Sequence, residues 1–203
     1  MASYRHAQSN PRAVMHGRPL DAQRYDAARW IVEPWRLYDL CQENDGAAAL
    51  VLVTAERATS AVHAPCYLLA AAAGSPYRAG APVHNAPDYA SANFRTVARR
   101  LFAMAQLGPK DVDVLQSYEN FTGGVLMSII EHGFCTLEDA NEFFRLEHLL
   151  APGGRLPLNT SGGNLAEGYM HGFGSINEAV RQIRSTSTAQ VPGAEVSMMT
   201  AGP

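Results

Sequence analysis

Apolar and polar residues follow no clear order up to Asp45. Ser9-Asn10-Pro11 and Gly17-Arg18-Pro19 are turn-forming, and only Asp21 to Trp30 keeps a helical rhythm. After Asp45-Gly46 the pattern sharpens. Leu50, Val51, Leu52 and Val53 form the unbroken apolar run of a strand buried on both faces, predicted over Ala47 to Thr54, and Cys66 to Ala72 predicts a second. Gly74 to Pro87 is a loop by its glycines and prolines. Phe94, Val97, Ala98, Leu101, Phe102 and Ala105 make the i, i+3, i+4 stripe of a helix predicted over Asp88 to Leu107, which ends at Gly108-Pro109. A strand at Val112 to Gln116 and a helix from Thr122 to His132, stopped by Gly133, come next. Thr136-Leu137-Glu138-Asp139 starts a further helix to Leu150, which Pro152-Gly153-Gly154 breaks. Leu156 to Leu158 is a short strand that turns through Asn159 to Gly163. A helix carrying Ile176, Ala179, Val180 and Ile183 precedes a last strand, Ala194 to Thr200. Strands alternating with helices imply an α/β layer architecture with a central mixed sheet. In such sheets reactive groups sit on the turns that leave the strands. Ser117 to Phe121 and Asn159 to Gly172 are therefore the turns of interest.

Composition narrows the function classes. The 203 residues are 47% hydrophobic and 17% charged, enough for one core. A net charge of -3 without a basic stripe argues against nucleic-acid binding. Cys41, Cys66 and Cys135 show no Cys-x-x-Cys spacing, the usage of a reducing, cytoplasmic compartment, and Met1 to Pro11 carries no secretory pattern. Cys66 to Ala73, the longest apolar run, is far below the roughly 20 residues of a membrane span. His63 and His84 have no partners at metal spacing, so no metal is expected.

Asn159-Thr160-Ser161-Gly162-Gly163-Asn164-Leu165-Ala166-Glu167-Gly168-Tyr169-Met170-His171-Gly172 is dense in glycine, which permits positive φ and close approach of a backbone to a ligand. A glycine-rich helix entry explains the run equally well by itself. The segment resembles the Asn-x-x-Gly-Gly-x-x-x-x-Gly-His-Pro loop of the thiolase superfamily, matched by Asn159, Gly162, Gly163 and Gly168. Three further stretches agree in order. Asp45-Gly46-Ala47-Ala48-Ala49 resembles the strand closing the thiolase N-terminal half, Tyr118-Glu119-Asn120-Phe121 sits where thiolases carry Asn-Glu-Ala-Phe, and Pro157-Leu158-Asn159 precedes the glycine turn.

The departures redirect the chemistry. Tyr169 stands at the histidine position of the loop and Tyr118 at the asparagine position. Thr200-Ala201-Gly202 lies where the second thiolase cysteine is expected. Paired tyrosines resemble a divergent branch, the lipid-transfer-protein-like aldolases that cleave CoA-linked steroid side chains. That resemblance implies a retro-aldol reaction of a β-hydroxyacyl-CoA. Such a reaction needs a base for the hydroxyl proton, an electrostatic partner for the thioester enolate and an acid to protonate it. Tyr118 and Tyr169 are the implied acid/base pair, with their roles unassigned. His171 is the third candidate, as reactant or loop support, and Glu119 is the other titratable neighbour. Asn159, Gly162, Gly163 and Gly168 are expected to shape the oxyanion region.

The resemblance implies a thiolase-like α/β fold with a mixed five-stranded sheet layered with helices. Residues 1–60 are expected to be the end of the N-terminal core and residues 61–203 the C-terminal domain. It also implies a coenzyme A thioester as substrate with no covalently bound cofactor, a thiolase-type homodimer, and a small OB-fold, zinc-ribbon-type partner protein. Two other readings stand beside the aldolase. One is a conventional acyltransferase whose nucleophilic cysteine lies in an N-terminal half that this chain does not contain. The other is a non-catalytic lipid-transfer or truncated subunit.

Overall fold

The computed structural model describes residues 1–74 and 94–201. At its centre, β3 (Val114–Ser117) and β4 (Ser197–Thr200) pair in parallel, with Val114 opposite Ser197 and Ser117 opposite Thr200. The register is set just before the strands begin. The Asp113 carboxylate accepts the Glu195 and Val196 N–H groups at 2.9 and 2.8 Å, and the Asp113 N–H donates to Val196. On the other side of β3, Leu158 forms a parallel bridge to Leu115, and Leu115 exchanges backbone bonds with Pro157 and Asn159. The sheet thus runs Leu158, β3, β4, with the glycine turn leaving its first edge.

Two helix layers cover this sheet. The α4 helix (Phe94–Ala105) packs against α5 (Thr122–Glu131), and Leu115, Val125, Ile129, Phe143, Leu158 and Met198 form the main core with them. Full burial of Leu115 and Ile129 stabilises by roughly 1.5–3 kcal/mol each. The α8 helix (Phe173–Ile183) packs on β3 and β4. It does so with an unusual face, because Ser175, Glu178 and Gln182 are the buried positions. Ile176, Ala179, Val180 and Ile183, the predicted apolar stripe, are only half-buried. A second, smaller core joins α1 (Ala2–Ala7) to α7 (Gly163–Ala166) through Tyr4, Ala7, Leu165 and Ala166.

Several predicted elements change form. The helical rhythm after Asp21 becomes the short α2 (Ala22–Asp26), capped where Asp21 accepts the Arg24 N–H, and then a hairpin of β1 (Trp30–Val32) and β2 (Trp35–Arg36). The helix expected to reach Leu150 is reduced to α6 (Ala140–Phe143) and a 3-10 turn over Leu146–Leu149. Its terminal carbonyls are taken by the next strand, since His148 and Leu149 accept from Leu156 and Leu158. Neither Ala47 to Thr54 nor Cys66 to Ala72 pairs as a strand. Val51 and Leu52 are 88% and 81% exposed and Leu68 is 74% exposed, so much of these apolar runs stays uncovered among the described residues. A short α3 (Ala55–Ala58) lies between them. The five-stranded sheet is accordingly not formed by the described residues. The loop and helix start predicted within residues 75–93 lie outside the described residues. Among the described residues no helix is long and apolar enough to cross a membrane.

Candidate active site

The end of β3 and the loop before α8 bring two phenols together. Tyr118 leaves β3 with its N–H still bonded to Thr200. Tyr169 approaches from the glycine-rich loop, and the two hydroxyl oxygens lie 2.6 Å apart. His171 adjoins them, with its Nδ1 3.4 Å from the Tyr169 hydroxyl and its ring centroid 4.7 Å from the phenol ring. Both tyrosines are half-buried and His171 is exposed, so the group opens to solvent on the histidine side. Gly172 makes the approach possible. Its φ is +85°, and a Cβ there would stand 3.0 Å from Met199 and 3.3 Å from the Tyr118 ring.

Tyr118 is held protonated well above the ordinary phenol range. Burial is the largest cause, followed by its hydrogen bond to Tyr169 and then the charges of Tyr169 and Cys41. Cys41, placed nowhere by sequence reasoning, comes to this region because its N–H bonds to Asn120. Burial also pushes its thiol up.

Asn159 turns out to be a clamp. Its Oδ1 accepts the Ser117 N–H at 2.7 Å, and its Nδ2 donates to the Ser117 carbonyl at 2.9 Å and to the Glu119 carboxylate. With φ at +52° it sends the chain back over the end of β3. Of the glycine N–H groups expected near an oxyanion, that of Gly162 donates to Asn159 and that of Gly168 to Gly163, so both are engaged within the turn.

Glu119 faces away from the tyrosines. Its fully buried carboxylate takes bonds from Ser3, Asn159 and the Leu165 N–H, and burial raises its pKa to about 7 against the opposing effect of those bonds. Gly163, with φ at +57°, has to be glycine here, because a Cβ would collide with that carboxylate. Behind the turn, Thr160 donates to Glu178 at 2.7 Å and accepts from Gln116 and Gln182. Arg181 joins Glu178 and Glu167 at 3.4 Å each. At Thr200, Oγ1 accepts from Ser128 and donates to Ser117, a buried chain of three hydroxyls.

Sequence reasoning singled out the tyrosines, His171 and Asn159 but missed Ser3, Asn44 and Glu178. Contacts between residues 116 and 125 positions apart, such as Ser3 with Glu119 and Asn44 with Tyr169, leave no local pattern. A buried glutamate on α8 could have been read from Glu178 interrupting the helix near its apolar positions. Among the described residues no group of three or more His, Cys, Asp or Glu could hold a metal ion.

Comparison with known proteins places this geometry in context. A family profile described as thiolase C-terminal domain-like matches residues 78–202. A 17-hydroxy-3-oxo-4-pregnene-20-carboxyl-CoA lyase of Mycobacterium tuberculosis is 40% identical over 100% of this chain and 53% of its own length. A steroid side-chain-cleaving aldolase of Thermomonospora curvata is 39% identical over 98% of this chain and 51% of its own. A solved structure of an Ltp2-ChsH2(DUF35) aldolase superposes with a TM-score of 0.89 at 37% identity, covering 99% of this chain and 53% of that one. The chain thus spans about half the length of the relatives it matches.

Proposed function

The chain belongs to the thiolase C-terminal domain-like family, and we propose that it supplies the tyrosine half of an aldolase that cleaves a steroid-type β-hydroxyacyl-CoA. The observation that carries this reading is the 2.6 Å contact between the Tyr118 and Tyr169 hydroxyls. The names of the two relatives, a CoA lyase and a side-chain-cleaving aldolase, supply the reaction class and the coenzyme A thioester substrate. In the retro-aldol step a base takes the β-hydroxyl proton and the Cα–Cβ bond breaks toward the thioester. A ketone departs, and the enolate is protonated at Cα. Tyr118, held protonated by burial and by Tyr169, suits the acid. Tyr169, whose hydroxyl lies 3.4 Å from His171 Nδ1, suits the base, passing its own proton to His171 as it takes the β-hydroxyl proton. The negative charge that develops on the thioester oxygen calls for preorganised donors. We assign that region to the surroundings of the turn built on Asn159, Gly162, Gly163 and Gly168, where the Gly162 and Gly168 N–H groups and the Asn159 amide hold the turn's shape rather than act as the donors.

Further parts of the reading concern the assembly. The five-stranded family sheet forms when residues 47–54 and 66–72 pair as strands within a larger assembly. The boundary near residue 60 separates the end of one core from the C-terminal domain. A second copy completes a thiolase-type dimer. A small OB-fold partner associates with it, a reading supported by the second protein, ChsH2(DUF35), named with Ltp2 in the solved aldolase. Tyr169→Phe in the assembled enzyme tests the central proposal. Release of short-chain acyl-CoA from a β-hydroxyacyl-CoA should fall at least about 100-fold, as expected for loss of a positioned acid or base, while CoA affinity stays within about twofold. Equal turnover by the variant removes Tyr169 from the mechanism.

A further inference from the structure

The Asp45-Gly46 motif, and the residue before it, has no part in the chemistry above, yet it lies directly on the tyrosine loop. Asn44 Oδ1 accepts the Tyr169 N–H at 2.7 Å across 125 positions of sequence. Asn44 Nδ2 donates to the Asp45 carbonyl at 3.2 Å, which fixes the acceptor's own turn. Next to it, Gly46 leaves room for Met170, since a Cβ at Gly46 would stand 3.2 Å from Met170 Cγ. Bonds inside the loop tie down its two ends, from the Gly168 N–H to Gly163 and from the Phe173 N–H to Met170. Between those ends Tyr169 is anchored from outside the loop by Asn44, and the Tyr118 ring and Met199 limit the loop on its far side at Gly172.

We propose that Asn44 is a positioning residue, fixing the Tyr169 backbone so that its phenol meets that of Tyr118. This rests on the reading of the two tyrosines as the reacting pair. The physical argument is one of tolerance. A hydroxyl pair at 2.6 Å has little slack before it passes the roughly 3.0 Å upper limit for such a bond, so the loop cannot shift far without breaking the contact. A misplacement of about 1 Å at a reacting centre can lower the rate by about 100-fold.

The test reads the phenols directly. The full chain is labelled with 3-fluorotyrosine, the Tyr118 resonance is assigned with Tyr118→Phe, and its ionisation is followed by fluorine NMR. Asn44→Ala should lower the Tyr118 midpoint by about one pH unit, toward that of free 3-fluorotyrosine, because the Tyr169 partner is lost. Asn44→Asp keeps an acceptor oxygen and adds a negative charge, so it should hold the midpoint or raise it. Gly46→Ala leaves Asn44 in place but presses on Met170, and should lower the midpoint as Asn44→Ala does. If Asn44→Ala does not fold, Asn44→Asp and Gly46→Ala decide. An unchanged midpoint in Asn44→Ala, or a lowered one in Asn44→Asp, overturns the proposal. Since ionisation rather than turnover is read, these midpoints separate the role of Asn44 from the aldolase reading. Midpoints that move as expected in an assembly that breaks no C–C bond of a β-hydroxyacyl-CoA overturn the reaction class and leave the anchor standing.

Discussion

The turn from Asn159 to Ala166 and the run from Leu50 to Val53 invert the usual relation between polarity and burial. The turn carries Asn159, Thr160, Ser161 and Asn164, and all eight of its residues are buried. The run is wholly apolar, and its four residues are 36% to 88% exposed. Burial of the turn is tolerable because most of its polar groups have partners: Asn159 holds Ser117 and Glu119, Thr160 holds Gln116, Glu178 and Gln182, and Ser161 donates to Glu167, while among the described residues Asn164 Nδ2 is an exception. Exposure of the run has no such internal explanation, since Val51 and Leu52 stay 88% and 81% exposed among the described residues. Polarity therefore marks the part of this chain that is finished as a structure. Apolarity marks the part that is ready for a partner surface.

The comparison can be broken most severely at Asn159. Asn159→Ala leaves the buried Ser117 N–H and carbonyl without partners and removes one bond to Glu119. It should cost about 3–5 kcal/mol in denaturant unfolding, at roughly 1–3 kcal/mol for each orphaned buried group. A loss below about 1 kcal/mol would mean that the turn does not depend on this clamp.

A smaller effect is expected at Glu119, where the sign follows from proton linkage. Its carboxyl is raised from an ordinary 4.5 to about 7, so the folded chain holds a proton that the unfolded chain has released between those values. Stability from this group is complete below about pH 4.5 and is lost as pH rises through about 7, by on the order of 3 kcal/mol in total. Glu119→Gln should flatten that decline. Thermal unfolding across pH 4.5 to 7.5 checks it, and a variant with the same slope as the parent would remove Glu119 as its source.

The smallest effect belongs to the exposed run. Leu52→Lys should leave the unfolding free energy of the chain within about 0.5 kcal/mol, as for other surface substitutions. It should also reduce self-association in analytical ultracentrifugation, because the exposed apolar surface shrinks. A loss comparable to that of Asn159→Ala would show that the run is packed after all.

The parts legible in the sequence are those whose period decides them locally. The strand expected at Val112 to Gln116 is Val114–Ser117, the helix expected from Thr122 to His132 is Thr122–Glu131, and β4 lies within its expected span. The tyrosines were found because each replaces a residue of a recognisable motif. Periodicity misled for the described chain by itself where an apolar run was equated with burial, as at Leu50 to Val53 and Cys66 to Ala72, because a run shows only that a residue could be buried, and the surface to bury it is not among the described residues. It misled again on α8, where Glu178 and Gln182 point inward to serve Thr160 and the apolar positions remain half-exposed. Glu119, the sequence neighbour of Tyr118, looked like its electrostatic partner. The alternation of side chains along an extended backbone aims it the opposite way.

The clamp around the glycine turn also bears on how the chain reaches this structure. Ser3 meets Glu119 across 116 positions, Asn10 meets Ser161 across 151 and Asn44 meets Tyr169 across 125. The packing of α4 on α5, by contrast, joins neighbouring elements. Long loops must close before the distant bonds can form, and that closure entropy slows their assembly. In kinetic terms the helical layer should form early and the tyrosine site late. A refolding chain should regain helical circular dichroism before the two phenols come into contact.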